Sequence, residues 1–320
     1  MPNPNVGQRV AANWEIVVKT KPEDQVHADY WLFNQLSQGE GFVGKSGGDF
    51  IACPVEYGEN PTVGSYSDLD PLPTNRADVF DRYEAQWKEH AGVYVISDLE
   101  SDRNDGDGQV FDLRSAKLTN LKNSIRGDLN EMFFADGTGN SSKDLNGLQN
   151  IASTSPTSGT FQGIDRATYT WARNQQTSGA QTTSAFDNLR AAMRSIYNLS
   201  SNGISGDHPT FAVTTRTVFE GFEGLLLANE RFTSKGTGEG AFETLKFKGA
   251  QISYDNDCLS GALYFLNPKF LKLYYKTGAW MKAHPAIRPA NQTADIVAIR
   301  TMAQLVALNP RRLGVVSSIT

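Results

Sequence analysis

Hydrophobic and polar positions divide this chain into a polar front part and a patterned remainder. Over residues 1–100, apolar side chains are scattered among polar ones and glycines interrupt them. From about residue 112 the apolar positions recur at helical and strand spacing, which predicts helices and strands around a core. We therefore expect an α+β protein whose first hundred residues bury little of their own surface. Such a front part indicates a subunit whose unburied surface is covered by neighbouring copies.

The clearest period predicts one long helix from Asp112 to Phe133. Asp112 is a favourable N-cap, and Asp136-Gly137 ends the helix because glycine adopts the conformation that follows a last helical turn. At about 1.5 Å per residue, this helix is a rod roughly 35 Å long. Its apolar stripe consists of Leu118, Leu121, Ile125, Leu129, Met132 and Phe133.

Shorter elements flank this helix. Further helices are predicted at about Asp29–Leu36, Ser184–Leu199 and Thr215–Asn229. Strands are predicted at Thr210–Thr214, Leu245–Phe247, Gln251–Tyr254, Ala262–Leu266, Phe270–Tyr275 and Leu313–Ser318. The apolar positions of Ala294–Leu308 fit a helix and a buried strand equally well.

The front part contains two β-prone runs, Phe50–Tyr57 and Val93–Ile96. They are separated by turn-rich sequence that includes the acidic stretch Asp68–Asn75, and this arrangement predicts a long two-stranded excursion. An isolated two-stranded ribbon is marginally stable in water. We therefore expect the excursion to lie on a neighbouring subunit.

Composition and charge exclude several classes of protein. The chain has 320 residues, 39% of them hydrophobic, a net charge of −5 and a pI near 5.5. Without a basic stripe, tight binding to DNA is not expected, although a wall that merely faces DNA is compatible. The sequence contains no apolar run long enough for a membrane span and no signal-peptide pattern. We expect a protein made in the cytoplasm.

Residues that could carry chemistry are few. Cys53 and Cys258 are far apart and are expected to be reduced. Asp102–Gly108 resembles a calcium loop, but Asp107 and Leu113 occupy the positions that require glycine and glutamate, so we interpret it as a solvated turn. No zinc-protease, nucleophile-elbow or phosphate-binding motif is present. The sequence therefore predicts no catalytic, cofactor or metal residues, and a protein that is not an enzyme.

The order of several short motifs resembles that of a known family. After the glycine-rich ribbon and the long helix come Phe133–Thr138, Gly147–Ile151, Gly163–Ala167, Trp171–Asn174, Gly261–Asn267 and Phe270–Leu273. Together they resemble the major capsid proteins of tailed bacteriophages, which have the Hong Kong 97 fold.

This resemblance implies a division of the chain into parts. Residues 1–40 resemble the N-terminal arm, 41–97 the extended β-hairpin loop, 98–150 the peripheral domain with its spine helix, 151–290 the axial domain, and 291–320 the return to the peripheral domain with a C-terminal strand. The ambiguous segment at Ala294–Leu308 is then expected to form strands of the peripheral sheet.

The resemblance also implies a function and partners. The chain would assemble into hexamers and pentamers of an icosahedral capsid that encloses double-stranded DNA. Its partners would be itself, a scaffolding protein, a portal and, in members that have them, decoration proteins. It would be located in the virion after assembly in the host cytoplasm. Some members form Lys–Asn crosslinks, but no motif pairs Lys45 with an asparagine.

Charged residues of the front part are candidates for contacts between subunits, although ordinary solvated charge explains them equally well. These candidates are Lys45, Glu56, Asp68, Asp70, Arg76 and Asp78. Two alternative functions remain open: an encapsulin-like compartment shell, and a cytoplasmic hydrolase with dispersed active-site residues. A carbohydrate-binding β-protein fits less well because the helices carry much of the pattern.

Overall fold

The computed structural model describes residues 24, 30–103, 112–177, 186–203, 206–225, 236–237 and 243–320. Its helices are α1 (Trp31–Gln38), α2 (Asp98–Arg103), α3 (Leu113–Phe134), α4 (Leu148–Ile151), α5 (Phe186–Ser200) and α6 (Arg216–Leu225). Its strands are β1 (Phe42–Lys45), β2 (Phe50–Glu56), β3 (Phe80–Gln86), β4 (Lys88–Ser97), β5 (Thr160–Phe161), β6 (Ile164–Asp165), β7 (Gln175–Thr177), β8 (Phe211–Thr214), β9 (Gly236–Thr237), β10 (Glu243–Phe247), β11 (Ala250–Tyr254), β12 (Leu263–Leu266), β13 (Leu271–Lys276), β14 (Lys282–Ala283), β15 (Ala294–Ala307) and β16 (Gly314–Val316). The predicted α+β class is confirmed.

The chain forms two compact units. Of the described residues, the first unit contains those within 24–29, 89–129 and 277–302, and the second contains those within 30–88, 130–276 and 303–320. The calcium-like sequence Asp102–Gly108 lies largely outside the described residues.

The second unit contains a seven-stranded sheet in the order β7-β16-β12-β8-β11-β10-β9. Helix α5 packs on it through Leu189, Met193 and Ile196, which share one buried cluster with Phe265 and Val316 of the sheet. The spacing of these three helical residues places them on one face. The apolar period of the sequence was therefore sufficient to predict α5.

A second sheet has the order β1-β13-β15-β14, and β4 also pairs with β15. In the second unit, β13 pairs with the last part of β15 from Leu271↔Ala307 onward, and β1 runs parallel to β13. In the first unit, β14 pairs with β15 at Lys282↔Arg300. The segment whose pattern fitted helix and strand equally is therefore a strand, because paired neighbours satisfy its backbone groups.

Helix α3 confirms the predicted long helix almost to the residue. The carboxylate of Asp112 accepts a hydrogen bond from the backbone N–H of Ser115 at 3.0 Å, as an N-cap does. In the first unit, Ile125 of this helix is buried and lies against β4 at Gly92. A Cβ atom at Gly92 would come within 2.7 Å of the terminal methyl of Leu121, so a larger residue there would require the Leu121 side chain to shift.

Helix α1 corrects the expectation that the front part buries little of its surface. Trp31, Leu32 and Leu36 are fully buried. Their spacing places them on one face of a helix of only eight residues. A helix was predicted here at Asp29–Leu36 and is confirmed, but a local pattern does not show which distant residues cover it, which is why the sequence indicated an exposed arm.

Candidate intersubunit surface

Strands β2 and β3 form a two-stranded hairpin that carries a long connection. They pair antiparallel from Phe50↔Gln86 to Glu56↔Phe80, and residues 57–79 between them contain no helix or strand. We call residues 57–79 the extended loop. The two-stranded excursion predicted from the sequence is present in the second unit.

Val93–Ile96 is a strand, as predicted, but its assignment to this excursion was wrong. It belongs to β4, which pairs with β15, whereas β3 pairs with β2. The sequence did not indicate strand β3 because Asp81, Arg82, Glu84 and Gln86 are polar and only Tyr83 and Ala85 are buried. Two buried positions are too few to indicate a strand against that polar background.

Apolar side chains of the extended loop are exposed to solvent. Leu69 is 95% exposed and Val63 is 85% exposed, and Tyr66 and Leu72 are also exposed. An exposed cluster of large apolar side chains costs free energy in water and marks a surface that another molecule covers. The loop therefore has the character of a contact surface.

The base of the hairpin, in contrast, is fixed by aromatic contacts within the second unit. Tyr57 stacks on Trp171 at 5.3 Å between ring centroids, and Tyr83 contacts Trp171 at 5.5 Å. The backbone N–H of Glu84 donates to the carbonyl of Gln162 at 2.9 Å. Burial raises the pKa of Tyr83, so its hydroxyl stays neutral. The loop thus begins and ends on a rigid base.

Two of the six candidate charges lie at strand ends. Lys45 ends β1, and its ammonium lies 5.9 Å from the centre of the Tyr274 ring. Glu56 ends β2 and is exposed, and among the described residues its carboxylate has no ion-pair partner. The structure places Lys45 and Glu56 on different sheets.

The other four candidates lie in the extended loop. A carboxylate oxygen of Asp70 accepts from the backbone N–H of Ser67 at 2.9 Å, which fixes a local turn. Asp68, Arg76 and Asp78 are exposed, and within the described part of the chain none of these three forms an ion pair. That any of the six contacts another subunit stays a prediction.

Arg166 is a buried cation that the sequence did not reveal. Its Nη2 donates to the backbone carbonyls of Asn150 at 2.6 Å and Ile151 at 3.0 Å, at the end of α4. Its guanidinium lies 4.8 Å from the centre of the Phe161 ring. Burial lowers the pKa of Arg166 to about 10, so the group remains charged at neutral pH. A single arginine in a polar stretch gives no sequence signal of burial.

A buried polar cluster joins the end of α3 to the turn after β11. The side-chain amide of Asn130 donates to Asp255 at 2.9 Å and to Asp257 at 2.7 Å. Burial raises the pKa of Asp255 above its ordinary value, against the hydrogen bonds from Asp257 and Asn130. The neighbouring Cys258 is buried and free, as is Cys53. The cluster fixes a turn. Burial and the nearby Asp255 raise the pKa of the Cys258 thiol well above its ordinary value, so the thiol stays protonated.

Neither a metal centre nor a membrane span is found in the described ranges. There, no group of three or more His, Cys, Asp or Glu side chains is placed to hold a metal ion. None of the helices described is both long enough and apolar enough to cross a membrane.

Comparison with known proteins gives similarity in structure but not in sequence. No family model and no curated protein matches the chain. The structure is similar to the capsid asymmetric unit of cyanophage A-1(L), with a TM-score of 0.70 and 14% identity over 94% of this chain and 96% of that one. It is similar to the capsid of the native GTA particle, with a TM-score of 0.62 and 12% identity over 100% of both chains. It is also similar to the SrpI encapsulin of Synechococcus elongatus, with a TM-score of 0.61 and 11% identity over 94% of this chain and 91% of that one. The chain therefore has the α+β Hong Kong 97-type fold that its sequence motifs resemble.

Proposed function

We propose that the chain is a major capsid protein of a tailed bacteriophage, many copies of which form an icosahedral shell around double-stranded DNA. The observation that carries this proposal is the extended loop, whose large apolar side chains are exposed on a fold that is similar to phage capsids over nearly its full length. Covering apolar surface provides about 25 cal/mol for each Å². Each contact in the shell at which a second copy covers the loop is therefore stabilised by this free energy.

The parts of the chain then take the roles that the resemblance implies. Residues 1–40 would be the N-terminal arm, 41–97 the extended β-hairpin region, 98–150 and 291–320 the peripheral domain, and 151–290 the axial domain. The charges at Lys45, Glu56, Asp68, Asp70, Arg76 and Asp78 would lie near subunit contacts. Exposed ion pairs contribute little each, so we expect the apolar loop side chains to supply most of the stability.

Partners follow from the same role. Hexamers and pentamers of the chain would close the shell with a scaffolding protein and a portal, and decoration proteins would bind outside if the phage has them. The subunit would act mechanically and not as an enzyme, in the virion after assembly in the host cytoplasm. A chain with a net charge of −5 would face the packaged DNA without binding it tightly.

The test is the state of association of the purified chain. Analytical ultracentrifugation and negative-stain electron microscopy are expected to show rings or closed shells whose population grows with concentration. A chain that stays monomeric at every concentration, also with its scaffolding protein supplied, contradicts the proposal. A variant in which residues 59–77 are replaced by a short glycine linker should fold and fail to form stable shells.

An encapsulin-like compartment is the second candidate, favoured by the similarity to the Synechococcus elongatus encapsulin. The contents of shells purified from the native source distinguish the two functions. Double-stranded DNA inside the shells supports a capsid, whereas a co-purifying cargo enzyme without DNA supports a compartment.

A further inference from the structure

A pocket of about 480 Å³ in the second unit is lined by three arginines, Arg173, Arg311 and Arg312. Among the described residues that line it, none is Asp or Glu. Leu199, which is half exposed, and Pro156 supply apolar wall. Three positive charges in one pocket are unusual in a chain whose net charge is −5.

Neutral oxygens hold the first of these arginines in place. The Nε of Arg173 donates to the carbonyl of Arg166 at 2.8 Å, and its Nη2 donates to the carbonyl of Ala167 at 3.0 Å. The Asp165 carboxylate accepts from the hydroxyl of Thr168 and the backbone N–H of Ala167, which lowers its pKa. The positive charge of Arg173 helps to lower the pKa of Asp165 further. Arg173 is thus oriented by its neighbours, and no carboxylate of the described residues is hydrogen-bonded to it.

Among the residues that the structure describes, the other two arginines also have no carboxylate partner. Arg312 donates to the carbonyl of Ser201 at 2.7 Å and to the side-chain oxygen of Asn202 at 2.9 Å, just beyond the end of α5. Arg311 is exposed, and within the described part of the chain its guanidinium forms no hydrogen bond or ion pair. A guanidinium prefers an oxyanion because its donors match the two oxygens of a carboxylate. The pocket is therefore prepared for an acidic group.

The extended loop of the same chain presents a group that fits this pocket. Asp68 is exposed and unpaired among the described residues, and it is followed by Leu69, the most exposed of the loop's large apolar side chains. A carboxylate next to a leucine matches arginines next to Leu199. Half of the 23-residue loop spans up to about 35 Å when extended, which is ample reach to a neighbouring copy.

We infer that the arginine pocket of one copy receives Asp68 from the extended loop of a second copy, with Leu69 packed on Leu199. This inference rests on the proposed function, because it requires that copies of the chain assemble. DNA phosphate is the competing occupant. The apolar wall favours the protein segment, since a phosphodiester backbone has no side chain to place on Leu199.

The first test reverses one charge and then restores the pairing. Arg311→Glu places a carboxylate opposite Asp68, and we expect the yield of shells to fall about tenfold because like charges repel across a contact. The double variant Arg311→Glu with Asp68→Lys should recover most of the wild-type yield. Arg194→Glu, an exposed arginine that does not line the pocket, is the matched control and should assemble normally.

The second test detects the contact directly. Chains carrying only Leu69→Cys are mixed during assembly with chains carrying only Leu199→Cys, under mild oxidation. A disulfide-linked dimer of twice 35.1 kDa supports the inference, because neither chain can form this link alone and both native cysteines are buried. Each single variant assembled by itself is the control.

The outcomes separate the inference from the proposed function. If wild-type chains form no shells, the proposed function is wrong and the inference is wrong with it. If wild-type and Arg311→Glu chains form shells in equal yield and the cysteine chains do not crosslink, only the inference is wrong. Arg311→Glu shells that form normally but retain less nucleic acid would assign the pocket to phosphate and also overturn it.

Discussion

Asp255 illustrates how its surroundings decide the charge of a single residue. The side chain is 4% exposed, and one of its oxygens is buried without a hydrogen-bond donor among the described residues. The folded state therefore binds the proton of Asp255 more tightly than the unfolded chain does. The ionised carboxylate costs stability above the folded-state pKa, and this cost is removed as the pH falls through that pKa.

Asp255→Asn should therefore stabilise the unassembled chain at neutral pH, and its advantage over wild type should shrink as the pH is lowered toward 4. Urea denaturation at several pH values measures the free energy of unfolding that tests this expectation. Asp136→Asn is a control of opposite sign, because hydrogen bonds from Thr138 lower the pKa of Asp136 and this stabilises its charged form. An advantage of Asp255→Asn that is independent of pH would contradict the argument.

At the scale of elements, the end of α3 and the start of α4 pass unusually close to each other. A Cβ atom at Gly147, directly before α4, would lie 2.3 Å from the carbonyl oxygen of Met132 and 2.4 Å from that of Ala135. Backbone atoms cannot rotate away as a side chain does. Glycine is therefore required here by space and not by its backbone angles.

Gly147→Ala should destabilise the fold by about 3 kcal/mol, the upper range for overpacking a well-packed site. Chemical denaturation of the unassembled chain measures the change. Gly64→Ala is the matched control, because nothing lies within 4 Å of a Cβ atom at Gly64. Equal stability of the two variants would show that α4 moves freely relative to the end of α3.

Across the whole molecule, the described apolar side chains fall into two sets with different environments. Those of the cluster between α5 and the seven-stranded sheet are buried, whereas Val63, Tyr66, Leu69 and Leu72 of the extended loop are exposed to solvent. In the proposed function, another copy of the chain covers this loop. This contrast separates folding of the subunit from its assembly.

Replacing Val63, Leu69 and Leu72 together by aspartate should therefore change the free energy of unfolding of the unassembled chain by no more than about 1 kcal/mol. The reason is that these exposed side chains make little contact within their own chain. The same variant should form few or no shells by electron microscopy. The matched control is a second triple variant that adds the same charge without removing apolar surface: Ser65→Asp, Thr74→Asp and Asn75→Asp. If both triple variants assemble equally, apolar covering of the loop is not what drives assembly.

The sequence by itself determined the α+β class, helix α3 with its Asp112 cap, and helix α5, because each depends on a long local period or a local hydrogen bond. The ordered motifs also indicated the Hong Kong 97-type fold. Tertiary structure alone decided that β2 pairs with β3 and that α1 is buried. The local pattern at Ala294–Ala307 fitted helix and strand equally, and the structure confirms the strand that the resemblance implied. It also brought Arg173 next to the consecutive pair Arg311 and Arg312, which lies far from it in sequence. Strand pairing and burial depend on residues far along the chain, and a local sequence pattern does not identify those residues.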